Sequence, residues 1–469
     1  MNMGSEYMQN ENNFQHMLQR FEDMLSSNVS YFFDVEDFEE IIDYYLDIRD
    51  FKTAEKACLK AETQHPSSYE IKIKKVHLFI ESGKPALALG ELNSFSRFET
   101  DDYEYYLLKG TALAQLGNFK KAEEIFDRVL EETMEDRIDI LINISIAYEN
   151  AYQYKYAIKY LKLAHKEDPE NLNVLYDLGY YSEKINEHYL AIEYYNSYLD
   201  LDTFSENVWY NLGVIYSKLN QFRKAIECYD FAIAINPTYS SAYFNKANLY
   251  ANENDYLKAI RIYNDLLELE PENLQAWCRL GECFEETGNY ERSLEIYRKA
   301  IEIDNTYADG WFGAGISLHQ LKRFKEASSY ILKAIDFDRE NPEFWFTLGE
   351  VYDELNMVLD AIKCYRYVCK LDPADQEAWI RLAKLHIDGA QLNDALKVLR
   401  EAYQHNFKSQ DIMYLLSAVY FRLKDEAAGT RFFEKAYSLG EGGSRLFFEV
   451  YPEGKYNDKI KTLLHKNNP

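Results

Sequence analysis

The residues of this chain that could do chemistry are its cysteines, histidines and carboxylates. Cys58, Cys228, Cys278, Cys283, Cys364 and Cys369 form no CxxC pair, and no two pairs have zinc-ribbon spacing. Cys278/Cys283 and Cys364/Cys369 are five residues apart, which on one helix turns the two thiols roughly 140° from each other. Such thiols read as buried structural groups in a reducing compartment, so no metal site is expected. The nine histidines are scattered, with His65 and His165 near helix ends and His386 standing where an aromatic would fill a helix face. A half-buried, hydrogen-bonded role suits His386 better than catalysis. Carboxylates abound, as in DVEDFEEIID at positions 34–43, whose helical setting reads as a solvated face. No HExxH, GxSxG, phosphate-binding glycine loop or GxGxxG at a strand-to-helix junction occurs. Neither a catalytic residue nor a cofactor is expected, and the chain reads as a non-enzyme.

Composition narrows the partners. Asp plus Glu number 79 against 52 Lys plus Arg, a net charge of −27. That field repels polyanions, so nucleic acid and anionic membranes are disfavoured. No run of about 18 apolar residues could span a bilayer. Met1–Asn10 has neither a basic start nor an apolar run, so a cytoplasmic location is expected. The 41 tyrosines and 27 phenylalanines must fill repeated core positions or line a surface.

The elements that position these groups recur every 34 residues. Trp209, Leu212-Gly213, Tyr216, Ala225, Tyr229, Ala232 and Pro237 set the pattern. Tyr243, Ala247, Tyr250, Ala259, Tyr263 and Pro271 repeat it, as do Trp277, Leu280-Gly281, Phe284, Tyr297 and Ala300. Trp311, Gly315, Leu318 and Ala327 follow, then Trp345, Leu348-Gly349, Tyr352, Ala361, Tyr365 and Pro373. This pattern resembles the tetratricopeptide-repeat (TPR) family, whose unit carries an aromatic at 4, Leu-Gly at 7–8, Tyr at 11, Ala at 20, an aromatic at 24, Ala at 27 and Pro at 32. With Trp209 at position 4, twelve units begin at 35, 69, 103, 138, 172, 206, 240, 274, 308, 342, 376 and 410. A single extra residue falls between the units starting at 103 and 138.

Helix packing accounts for the pattern. Positions 4, 7, 8 and 11 share one face of a first helix, and 20, 24 and 27 share a face of a second. Small residues at 8 and 20 let backbones approach, and proline at 32 ends the second helix. Pro85, at position 17, suits a helix start. No helix pair can bury its own apolar face, so neighbours must stack. The expected fold is all-α, a right-handed TPR superhelical solenoid with helical caps. Residues 1–34 are expected to hold a disordered start, over the first ten residues, and a capping helix marked by Phe14, Leu18, Phe21 and Leu25. The twelve units fill 35–443. Gly440, Gly442 and Gly443 then break the chain, and a capping helix interrupted by Pro452 and ending near Lys466 fills 444–469.

In such a solenoid, positions 2, 5, 6, 9, 12 and 13 of each first helix face the concave side. Position 5 reads Tyr176, Tyr210, Phe244, Cys278, Phe312, Phe346, Ile380 and Tyr414, a stripe of large apolar groups suited to anchoring a peptide. Position 6 reads Asn143, Asp177, Asn211, Asn245, Arg279, Gly313, Thr347 and Arg381, and Asn248 stands at position 9. An Asn amide can satisfy both the N–H and the C=O of an extended peptide. The row resembles the asparagine ladder of O-GlcNAc transferase, but it breaks at Arg279. Asn245 and Arg279 also match two places of the carboxylate clamp of chaperone-binding TPR domains, where Tyr210 and Val214 depart from it. A groove of Tyr176, Tyr210, Asn211, Phe244, Asn245, Asn248, Arg279 and Phe312 is therefore expected to bind a protein or extended peptide. The expected role is a non-catalytic scaffold; the alternative is a chaperone-like or regulatory arm inside a larger complex.

Overall fold

A computed structural model describes residues 3–27, 29–95, 103–132, 136–405, 408–440 and 444–465. Gly442, Gly443 and Lys466 lie outside the described residues. Among those described, every regular element is helical: 27 α-helices and one 3-10 turn. The chain forms two compact units, Met1–Cys228 and Tyr229–Pro469. It is an all-α solenoid of consecutive helix pairs. First helices begin at residues such as Val35, Tyr69, Arg137, Leu172, Leu274 and Ala308, and second helices follow 16 or 17 residues later, as at Phe51, Tyr154 and Tyr290.

Several first helices start on a polar cap. Asn171, Asn273 and Asp375 accept from the backbone N–H three residues on, and Asp34 closes a capping box with Asp37. The turn to the second helix needs a left-handed residue, always at position 15: Arg49, Gly83, Gly117, Tyr152, Asn186, Asn220, Asn254, Gly288, Lys322, Asn356, Ala390 and Lys424 all have positive φ. At Gly288 the neighbouring N–H groups reach back to Glu285 and Phe284, a Schellman closure that satisfies the last carbonyls. Asp136 also has positive φ, at the place where the repeat gains its extra residue.

The core is built from one contact made again and again. An ideal Cβ at Gly110, Gly179, Gly281, Gly315 or Gly349 would lie between 2.3 and 2.9 Å from the ring or side chain at position 24 of the same repeat. Position 24 supplies Phe126, Tyr195, Tyr297, Ile331 and Tyr365 in turn, so only glycine lets these groups lie flat against the first helix. Where position 8 enlarges to Ile42, position 24 shrinks to Cys58, and Val76 pairs with Leu92. In these two N-terminal repeats the bulk shifts from position 24 towards position 8, so the first helix supplies the side chain that the second supplies elsewhere. The five tryptophans at position 4 each donate an indole N–H to the carbonyl six residues earlier, from Trp209 to Thr203 (2.9 Å) through Trp379 to Pro373 (3.1 Å). Each therefore clasps the loop that enters its own repeat.

The N-terminal helix runs Met3–Ser26, so residues 3–10, expected to be disordered, are helical. Phe21, Leu18 and Met17 seat this helix against Phe38, Ile41 and Ile42, and once it is nucleated, extension through Gln and Glu residues is inexpensive. Pro85 occupies the first turn of helix Pro85–Leu92. After the last repeat come helix Ser444–Val450, a 3-10 turn Pro452–Tyr456 and helix Asp458–His465.

Candidate functional site

All six cysteines are free and buried, and burial pushes the Cys283 thiol up to about 12. His386 is buried rather than half-buried, with Nδ1 at 2.7 Å from Gln391 Oε1. Among the described residues no His, Cys, Asp and Glu group could hold a metal ion, and no helix is long and apolar enough to cross a membrane.

In the N-terminal unit, helix Leu172–Lys184 carries Tyr176 and Asp177 on the wall of a cavity of about 420 Å3, shared with Ile142, Tyr198 and Asn207. Tyr176 is half-buried and sits edge-on to Tyr195, ring centroids 6.0 Å apart. Asn211, on helix Glu206–Lys218, donates its amide to the hydroxyls of Tyr195 (3.2 Å) and Tyr176 (3.3 Å). Its donors are thus engaged by tyrosines of the scaffold, which narrows its capacity to grip a peptide to the carbonyl. Burial, with the Glu149 charge beside it, pushes the Asp177 carboxyl up to about 6. Glu149 itself accepts from Tyr181 at 2.7 Å. Tyr210 is half-buried on the same helix as Asn211.

In the C-terminal unit two cavities adjoin. One, of about 580 Å3, is lined by Phe244, Asn248, Tyr256 and Tyr263 from helices Ser240–Asn252 and Tyr256–Leu269. The other, of about 350 Å3, is lined by Tyr297, Asp309, Gly313 and Phe344. Gln275, Arg279, Glu282 and Glu285, all on helix Leu274–Glu286, border both. Phe244 is half-buried, its ring edge-on to Tyr263 at 6.1 Å. Asn248 accepts from the Tyr263 hydroxyl at 2.5 Å, and Asn245 is half-buried between them in sequence. Arg279 is exposed and donates to Glu282 at 2.7 Å.

The expected apolar stripe at position 5 is interrupted. Tyr176, Tyr210, Phe244 and Phe346 are half-buried, but Cys278, Phe312, Ile380 and Tyr414 are buried. Phe312 is 8% exposed and packs on Phe344 with centroids 4.4 Å apart, so it belongs to the core. The partner is Phe344 of the next repeat's first helix, whose ring draws Phe312 into the inter-repeat core.

Sequence reasoning missed Glu285. It stands at position 12 and accepts from Ser317 Oγ (2.7 Å) and the Tyr297 hydroxyl (3.3 Å). Burial pushes its carboxyl up to about 7 against the lowering effect of those hydrogen bonds. The signal was Gly313 at position 6, an absent side chain where earlier repeats place Asn.

TPR family models match residues 73–137 and 206–239, and the model of the C-terminal domain of cilia and flagella-associated protein 70 matches 237–445. The chain is a tetratricopeptide-repeat protein. No curated protein matches it. Among solved structures it is similar to MamA, at 27% identity over 37% of this chain and 96% of that one, TM-score 0.36. It is also similar to YrrB, described as a TPR protein with an unusual peptide-binding site, at 18% identity over 39% and 95%, TM-score 0.34. The Cut9–Hcn1 hetero-tetramer of the APC/C is similar at 16% identity over 82% and 89%, TM-score 0.39.

Proposed function

We propose that this protein is a non-catalytic scaffold that holds a partner protein through an extended segment, working in a reducing compartment such as the cytoplasm. TPR domains as a class bind proteins and peptides. The observation that carries the reading here is the pair of adjoining cavities in the C-terminal unit, with Phe244, Asn248 and Arg279 on their walls. A peptide laid across the Leu274 helix would have a half-buried aromatic to pack on and side-chain amides and a guanidinium to meet its polar atoms. Tyr176 and Asn211 are proposed as contacts of the N-terminal unit in their own right. The six buried free thiols support a reducing location.

A partner is first found by crosslinked pull-down from the native cell and its binding segment titrated by calorimetry. Truncating Phe244 and Asn245 together to Ala should weaken binding by about 2 kcal/mol, roughly thirtyfold, while circular dichroism stays helical. Wild-type affinity in a folded double variant would remove the binding site from this face.

A further inference from the structure

We propose that the segment held by the two adjoining cavities is basic, and that one of its arginine or lysine side chains enters beside Gly313 to meet the Glu285 carboxylate. This rests on the binding face proposed above and adds the chemistry of its occupant.

Charge supplies the first argument. Among the described residues, Glu282, Glu285, Glu286, Asp309 and Glu343 line the two cavities, against a single cation, Arg279, which is already paired with Glu282 at 2.7 Å. An acidic segment or a chain-terminal carboxylate would meet repulsion there, and the net charge of −27 reinforces it at longer range.

Geometry supplies the second. Position 6 of this repeat is Gly313, and a Cβ there would stand 2.2 Å from the Tyr297 ring. The ring therefore occupies the space that an Asn side chain takes in the N-terminal unit. Among the described residues no amide covers the Tyr297 hydroxyl as Asn211 covers that of Tyr195. The hydroxyl turns to Glu285 instead, and Ser317 holds the other carboxylate oxygen at 2.7 Å. Among the described residues no ammonium or guanidinium comes within ion-pair distance of Glu285. A fixed, largely desolvated carboxylate without a counter-charge is costly on its own, and an entering cation relieves that cost. Tyr297, Tyr307 and Phe344 add ring surface around the same cavity, which favours a guanidinium or ammonium further.

A linkage follows. The groups that face Glu285 are Arg279 and Glu282 on its own helix, Ser293 and Tyr297 from helix Tyr290–Ile303, Asp309 and Ser317 from helix Ala308–Gln320, and Asn248 and Tyr263 across the larger cavity. Burial holds the Glu285 carboxyl near 7 in the free protein, so a bound cation expels its proton. Affinity for a basic segment should then strengthen as pH rises through about 7.

Gln275 is exposed and borders both cavities, so it is the place for a photo-crosslinking residue, Gln275→p-benzoylphenylalanine in the full chain. Crosslinked segments rich in Arg or Lys are expected. Segments that are neutral or acidic would overturn the basic occupant while leaving the binding face standing, and no crosslink at all would remove both. The second arm titrates a blocked oligoarginine peptide into wild type, Glu285→Gln and the remote surface control Glu302→Gln. The expected result is a loss of about tenfold or more in Glu285→Gln, with its pH dependence gone, and less than twofold in Glu302→Gln. Equal losses in both would reduce the binding to general attraction by an acidic protein and overturn the site. Should Glu285→Gln misfold, the exposed-rim variant Glu282→Gln takes its place, with a several-fold loss expected and an unchanged affinity counting against the proposal.

Discussion

Tyr195 in the N-terminal unit and Tyr297 in the C-terminal unit hold the same place in their repeats, and each lays its ring over a glycine at position 8. Their hydroxyls end differently. Tyr195 is capped by the amide of Asn211 from the following repeat, whereas Tyr297 finds Gly313 there and donates to Glu285 of its own repeat. Packing is thus shared along the solenoid, and the polar face above it is rewritten by single residues. Asn211 at position 6 caps the tyrosine of the repeat before it, whereas Gly313 at the same position leaves Tyr297 to the Glu285 carboxylate.

The shared half of that comparison breaks most easily at the glycine. Gly179→Leu and Gly281→Leu should each destabilise their unit by about 3 kcal/mol, read as lost amide-exchange protection in both helices of the repeat. Even a methyl would meet the ring at 2.6 or 2.7 Å. If one of the two proved harmless, the ring-on-glycine contact would not be common to both units.

The polar half is tested by pH. Glu285 is raised from an ordinary value of 4.5 to about 7 in the folded protein, so the folded state binds the extra proton. Stability from this group is therefore greatest below about 4.5 and declines as pH climbs to about 7. Glu285→Gln should remove that decline and leave the C-terminal unit more stable above neutrality by up to about 3 kcal/mol. Asp177→Asn should do the same in the N-terminal unit over a lower window, from 3.8 to about 6. Urea midpoints measured across both windows decide it, and coincident windows would mean that the two carboxylates share an environment.

Asn211→Ala sharpens the contrast at smaller scale. It leaves the Tyr195 hydroxyl buried and unpaired, a cost of about 1–2 kcal/mol. In the C-terminal unit Thr347→Ala, also at position 6, has no such tyrosine to strand, because position 24 of the preceding repeat is Ile331, and its melting temperature should hold. The smallest effect belongs to position 15. Lys322→Gly should gain roughly 0.5–1 kcal/mol, because a left-handed conformation strains Lys and suits Gly. No gain would place the strain elsewhere in the turn.

The repeat itself was legible because its residues are dictated by packing: Trp209, Gly281 and Tyr297 sit where a 34-residue period puts them. Position 15 was invisible by type, since Arg49, Tyr152, Ala390 and Gly288 share a backbone conformation and nothing else. The candidate site was harder. Residue type put Phe312 on the binding stripe, yet its burial depends on Phe344 of the next repeat, a partner that spacing does not reveal. Asn211 and Asn248 were read as free amides, and only the reach of a tyrosine from a second helix reveals that they have partners. Spacing fixes which face a residue occupies, but not what waits on the other side.

The buried thiols give the molecule a built-in clock. Cys58, Cys228, Cys278, Cys283, Cys364 and Cys369 lie in four different repeats, each shut away from reagent and each kept in its unreactive protonated form by burial. An alkylating agent can reach any of them only when that repeat breathes. The order in which the six are labelled is therefore a record, written along the unmodified chain, of which repeats open first and which hold until the whole unit gives way.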